Sequence, residues 1–66
     1  MNNTIKIQRA IKNLTQEELA NLIGVSRQTI NSIENDRYNP STVLALKLSK
    51  VFGISVNEIF DLDDED

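Results

Sequence analysis

Four side chains within six residues, Arg27, Gln28, Asn31 and Ser32, carry the donor and acceptor chemistry that the base edges of duplex DNA require. An arginine fork fits the two acceptors of guanine, and a glutamine or asparagine amide fits the acceptor–donor pair of adenine. On a helix that turns roughly 100° per residue, Ile30 and Ile33 mark a buried stripe. Gln28, Asn31, Ser32 and Asn35 then point away from it, with Arg27 and Thr29 on the flanks. Solvated helix surfaces usually mix Lys, Glu and Ala. This face offers amides, hydroxyls and one guanidinium, and no acid.

Other polar groups nearby suit phosphate oxygens better than bases. Gln16 opens the preceding helix, where its amide and the helix N-terminus together favour an anion. Ser26 and Thr29 lie at the start of the base-reading helix, and Asn35, Arg37, Tyr38 and Asn39 follow it. All but Asn39 are assigned here to the DNA backbone. For Tyr38 a second reading stands beside that one, a ring packed on the edge of the core with its hydroxyl exposed. Lys47 and Lys50 read as ordinary surface residues. Glu34 falls close to the buried side of its helix, an odd place for a carboxylate, and Arg9 in the first helix is its natural partner.

The composition excludes several other chemistries. There is no Cys and no His, which removes disulfides, most zinc sites and most nucleophile–base pairs. No catalytic residues, metal, cofactor or small-molecule ligand are expected, and an enzyme is disfavoured. No apolar run has the length of a signal peptide or a membrane span, so a soluble cytoplasmic protein is expected. The net charge of −3 looks wrong for a DNA binder until it is divided along the chain. Residues 1–60 hold seven basic and five acidic groups, whereas 61–66 hold five acids and no base. The acidic end lacks the glycine and the length of a calcium loop and reads as a disordered tail. The remaining +2 is modest, so DNA affinity must lean on geometry and a few placed contacts.

The elements that must position these groups follow from caps and periodicity. Helices are expected from about Thr4 to Lys12; from Thr15, with a Thr-x-x-Glu capping box to Glu18, to Ile23; and from Ser26 to about Asn35. A fourth runs from Ser41 to Phe52, and a short fifth opens with Ser55 and Glu58 and ends near Phe60. Gly24, Gly53 and Pro40 punctuate them. Only Gly24, Val25 and Ser26 separate helices two and three, which forces a steep crossing. That crossing needs a small Ala20, a turning Gly24, and apolar Leu19, Ile23, Val25, Ile30 and Ile33 in the angle. All are present.

The runs Leu14-Thr-Gln-Glu-Glu-Leu-Ala, Gly24-Val-Ser-Arg-Gln-Thr-Ile and Ile33-Glu-Asn-Asp-Arg-Tyr-Asn-Pro40 resemble the phage-repressor and Cro (XRE) family of helix-turn-helix regulators. Leu44-Ala-Leu-Lys-Leu and Val51-Phe-Gly-Ile-Ser resemble that family's fourth and fifth helices. The likeness runs from about Ile5 to Phe60, and the layout is most like the compact stand-alone members such as the cytolysin-repressor-like dimers. It implies an all-α, five-helix, lambda-repressor-like fold with the helix-turn-helix at about 16–35. It also implies a homodimer, a double-stranded operator with two half-sites, the Arg9–Glu34 pairing, and a phosphate contact for Gln16. It singles out Arg27, Gln28 and Ser32 as base readers, while Asn31 is added from the face itself.

Once Leu44, Leu48 and Phe52 are spent on the core, Val56, Ile59, Phe60 and Leu62 are expected to form a two-fold interface. Residues 1–3 are expected to help as a short strand. The competing reading keeps the fold as a protein-interaction module or antitoxin with little DNA binding. Such a module would tolerate apolar or acidic residues on the outward face of helix three, and this chain has neither.

Overall fold

The expected caps of α2, α3 and α4 are found in the structure, a computed structural model that describes residues 1–66. Helix α1 covers Ile5–Lys12 and stops where Asn13 turns left-handed at φ 57°. Helix α2 covers Gln16–Ile23: the Thr15 hydroxyl accepts from the Glu18 amide at 3.0 Å, and the Glu18 carboxylate accepts from the Thr15 amide at 2.9 Å. Gly24, at φ 76°, ends it. A side chain there would be strained by the backbone alone, because no neighbour lies within 4 Å of its Cβ position. Helix α3, Arg27–Glu34, is capped by Ser26; helix α4, Thr42–Phe52, is capped by Ser41 and closed by Gly53. Helix α5 is a single turn, Val56–Ile59, with Glu58 reaching back to the Ser55 amide and hydroxyl. Two short antiparallel strands, β1 (Asn2–Asn3) and β2 (Phe60–Asp61), pair Asn2 with Asp61 and Asn3 with Phe60.

The core is built from ten buried apolar residues, half of them supplied by α2 and α3: Leu19, Ala20, Ile23, Ile30 and Ile33. Ile5, Leu48, Phe52, Ile59 and Phe60 complete it. Ala20 is 1% exposed, so the turn between α2 and α3 has closed on it as its small side chain permits. Val25 packs against the same cluster from the turn.

The C-terminal end differs from the sequence reading. Ile59 is 1% exposed and Phe60 8%, so both belong to the core of one chain, and only an edge of Phe60 reaches the surface, at a groove beside α4. The cause is the return of the N-terminal segment. The Thr4 amide donates to the Ile59 carbonyl at 2.8 Å, the Thr4 hydroxyl donates to the Glu58 carbonyl, and β1 closes over β2. Of the four expected interface residues, Leu62 is well exposed and Val56 is half-buried. Asp61, expected in a free tail, is the last residue of β2. Asp63 and Asp66 both contact the terminal ammonium.

Arg9 and Glu34 do pair. Arg9 Nε donates to Glu34 Oε2 at 2.6 Å and its terminal nitrogen to Oε1 at 3.1 Å, a two-pronged contact. The Glu34 side chain is 7% exposed and that of Arg9 15%. The third guanidinium nitrogen of Arg9 donates to the Leu14 carbonyl at 3.0 Å. Gln16 adds its amide to Glu34 Oε1 at 3.2 Å, so one carboxylate joins α1, α2 and α3. Removing one partner of such a pair strands the other. Glu34→Ala should cost about 3 kcal/mol, the low end of the usual range because Arg9 keeps some exposure. Thermal melts should show the midpoint falling by more than about 10 °C, and an unchanged midpoint would mean the pair contributes nothing.

Candidate nucleic-acid interface

The outward side of α3 is hydrogen-bonding chemistry held on a rigid support. Ile30 and Ile33 turn the inner face to the core at 0% and 1% exposure, which leaves the opposite face outward. Arg27, Gln28 and Asn31 are then exposed and Ser32 half-buried. These four line one polar depression of about 450 Å³, and Arg37 from the following loop joins them. An adjoining depression of about 370 Å³ is lined by Ser26, Gln28, Thr29, Ser32 and Tyr38. Gln28 and Ser32 border both. No acidic residue lines either one.

Which groups remain free for a ligand can be read from what each already bonds. Arg27, Gln28 and Arg37 have no partner within the chain for their side chains, so their donors face outward unspent. Asn31 is partly committed: its Oδ1 accepts from Asn35 Nδ2 at 3.3 Å, which leaves its NH2 group as the free end. Asn35 is spent on Asn31, giving a second bond to the Asn31 carbonyl at 2.8 Å. Ser26 and Thr29 bond each other, with 2.9 Å between hydroxyl oxygens, and Ser26 Oγ also accepts from the Thr29 amide. Whichever hydroxyl donates, one hydroxyl hydrogen of the pair remains for an outside acceptor. Tyr38 is 45% exposed and borders the second depression.

Gln16 lies apart from this group. It is half-buried at the start of α2, with one amide hydrogen given to Glu34 and one left over. The backbone amides of Gln16 and Glu17 have no acceptor in the chain, as befits a first helical turn. Two carboxylates, Glu17 and Glu18, share that turn. The Glu18 carboxyl is held below its ordinary range, first by the Thr15 backbone amide and then by the Thr15 hydroxyl. Its charge caps the helix and also opposes any phosphate drawn there, so Gln16 must supply the positive end of the contact.

Two residues with defined roles escaped the sequence reading. Lys47, read as plain surface, donates to the Ile23 carbonyl at 3.3 Å and so caps the C-terminal end of α2. Asn3 bonds across to the end of α3: its Nδ2 donates to the Ile33 carbonyl at 2.9 Å and to the Asp36 carboxylate at 3.1 Å. Neither contact has a local sequence signal, since the partners lie 24 and 30 or more residues away.

Comparison with known proteins gives concordant results. A helix-turn-helix family model matches residues 5–59. An uncharacterized HTH-type transcriptional regulator of Methanocaldococcus jannaschii is 50% identical over 66 residues, covering 100% of both chains. Among solved structures, the restriction-modification controller protein C.AhdI from Aeromonas hydrophila superposes with a TM-score of 0.76 at 36% identity. That match covers 85% of each chain. The N-terminal DNA binding domain of SinR from Bacillus subtilis superposes with a TM-score of 0.77 at 34% identity, over 91% of this chain and 88% of that one.

Proposed function

The chain belongs to the helix-turn-helix family of DNA-binding transcriptional regulators, and from that premise we propose that it acts as a homodimeric repressor on a near-palindromic operator. The observation that carries this reading is the acid-free outward face of α3, with Arg27 and Gln28 unspent and Asn31 and Ser32 beside them. Arg27 takes guanine and Gln28 takes adenine in the major groove, while Asn31 donates from its free NH2 end. Arg37, Tyr38 and the Ser26–Thr29 hydroxyl pair hold the flanking phosphates, and Gln16 holds one from the α2 side. These contacts set register and carry no sequence information. A bound dimer excludes other proteins from the same stretch of DNA, which is how so small a domain represses.

A dimer needs a surface, and with Ile59 and Phe60 buried that surface is the apolar side of α4. Val43 is 61% exposed and Leu46 59%. Leu46, Ala45, Pro40, Val56 and Met1 border a groove of about 380 Å³ with mostly apolar walls. Two copies facing each other across this surface form an isologous contact, and each of its residues then appears twice. The symmetric pair presents two α3 helices to successive major grooves on one side of the duplex. Half-site centres are then about 34–36 Å apart, roughly 10 base pairs.

Two measurements test the reading. On an operator selected from random duplexes, Gln28→Ala should lose about 1–3 kcal/mol of discrimination and leave binding to scrambled DNA unaltered. Gln16→Ala should weaken both duplexes together. Equal losses for Gln28→Ala on both would remove α3 as the reading element. In sedimentation, Leu46→Asp should give a folded monomer, since the charge enters a two-fold contact twice. A dimer of unchanged sedimentation coefficient would exclude the α4 surface. Ile59→Asp cannot serve this purpose, because it would charge the core of each chain.

A further inference from the structure

Asn3 is one of two residues in a minimal strand, yet its side chain makes three hydrogen bonds that meet nowhere else in the fold. Its Oδ1 accepts from the Ile5 amide at 3.1 Å, which caps the start of α1. Its Nδ2 donates both to the Ile33 carbonyl, in the last turn of α3, and to the carboxylate of Asp36. Every hydrogen-bonding atom of the amide is therefore used. Its backbone is simultaneously held against Phe60 in the β1–β2 ladder.

Asp36 is the residue that needs such a hold. It takes a left-handed backbone, φ 59°, where its amide donates to Ile33 and the Arg37 amide donates to the Ser32 carbonyl at 2.9 Å. That single reversal sends Arg37 back over α3 into the depression shared with Arg27 and Gln28, and places Tyr38 at the adjoining one. Asp36 is also the only acid in the loop between Glu34 and Pro40. Asn3 engages one of the two Asp36 oxygens, Oδ1, and turned the other way this carboxylate is near enough in sequence to compete for the Arg37 guanidinium.

We propose that Asn3 is a positioning residue for DNA binding: by holding Asp36 in its left-handed turn through Oδ1 of its carboxylate, it keeps that carboxylate turned away from Arg37, which stays unpaired and aimed at a phosphate. The proposal rests on the reading of α3 and its loop as the DNA face. The N-terminal strand thus acts on DNA without touching it. Loss of the Asn3 amide frees Asp36 to take Arg37 for itself, and the loop then meets the duplex with one cation fewer.

The test is a double-mutant cycle in the full chain, with DNA affinity measured across a salt series well below each variant's melting temperature. Asn3→Ala should weaken binding about tenfold and reduce the salt slope by about 1, the signature of one lost phosphate contact. Gln28→Ala should keep its full effect on discrimination in that background. Arg37→Ala, costly in the otherwise native chain, should cost little once Asn3 is gone. Adding Asp36→Asn to Asn3→Ala should restore both affinity and slope, because the freed competitor has lost its charge. If Asn3→Ala does not fold, Asn3→Asp keeps the acceptor for Ile5 and removes both donors, and the same cycle applies. A lowered melting temperature with unchanged affinity and slope would make Asn3 purely structural and overturn the proposal. So would an Arg37→Ala effect of equal size in both backgrounds. If neither Arg37→Ala nor Gln28→Ala alters binding in the native chain, the reading of the DNA face itself has failed, and this proposal falls with it.

Discussion

The carboxylate of Glu34 is the point to which the three N-terminal helices are referred. An almost fully buried charge is expensive unless its partners are close and well aligned. Arg9 approaches from α1 with two nitrogens and Gln16 from the start of α2 with its amide, so the requirements of one oxygen pair set three helices in relation. Apolar packing alone tolerates small rotations, because contacts between methyl groups have little directionality. The Arg9–Glu34 fork does not. Since Glu34 is the last residue of α3, it pins the helix that must be presented to DNA at a defined rotation. The bond from Gln16 to Glu34 makes the first residue of α2 part of the same arrangement.

How much of this was legible in the sequence depended on the range over which each signal acts. Caps are local, and Thr15, Ser26, Ser41, Gly24 and Gly53 gave α2, α3 and α4 to within a residue. The steep turn was legible for the same reason: Ala20, Gly24 and the five apolar positions lie within one short stretch, and all are buried or turned as required except Val25, which is half-buried against the same cluster. The outward face of α3 followed from helical periodicity. Ile59 and Phe60 were misplaced because periodicity has no purchase on a four-residue helix, and because the strand that covers them comes from the other end of the chain. Asn3 and Lys47 were illegible on the same grounds. An amide or an ammonium that caps a helix tens of residues away leaves no pattern around itself.

Charge had to be read by location as well. Net charge describes the far field, and at −3 that field opposes DNA. Recognition occurs within a few ångströms, where screening by salt has little room to act and the local set of groups decides. Around the two depressions on α3 that set includes Arg27 and Arg37 and no acid. Five of the ten acids are held elsewhere: Glu34 by Arg9, Glu18 by the Thr15 cap, Asp36 by Asn3, and Asp63 and Asp66 at the amino terminus. A mildly anionic chain thereby presents a cationic face, and each internal hydrogen bond to a carboxylate contributes to that outcome as well as to stability.

The same economy bears on why assembly and recognition belong together here. Ten buried residues make a small core, and a domain of this size has little stability to spare. The polar face of α3 cannot add to that core, because it points away from Ile30 and Ile33. The surface still available for burial is the α4 side, where Val43 and Leu46 stand exposed next to the groove at Met1 and Val56. Burying it against a second copy would stabilise the fold in proportion to protein concentration. It would also do so through the β1–β2 corner, whose Phe60 borders the groove and pairs in the ladder with Asn3. From Asn3 the hydrogen bonds run directly to Ile33 and Asp36 at the end of α3. In the proposed dimer, a subunit contact at the groove and a phosphate contact at Arg37 would both bear on the same two-residue strand.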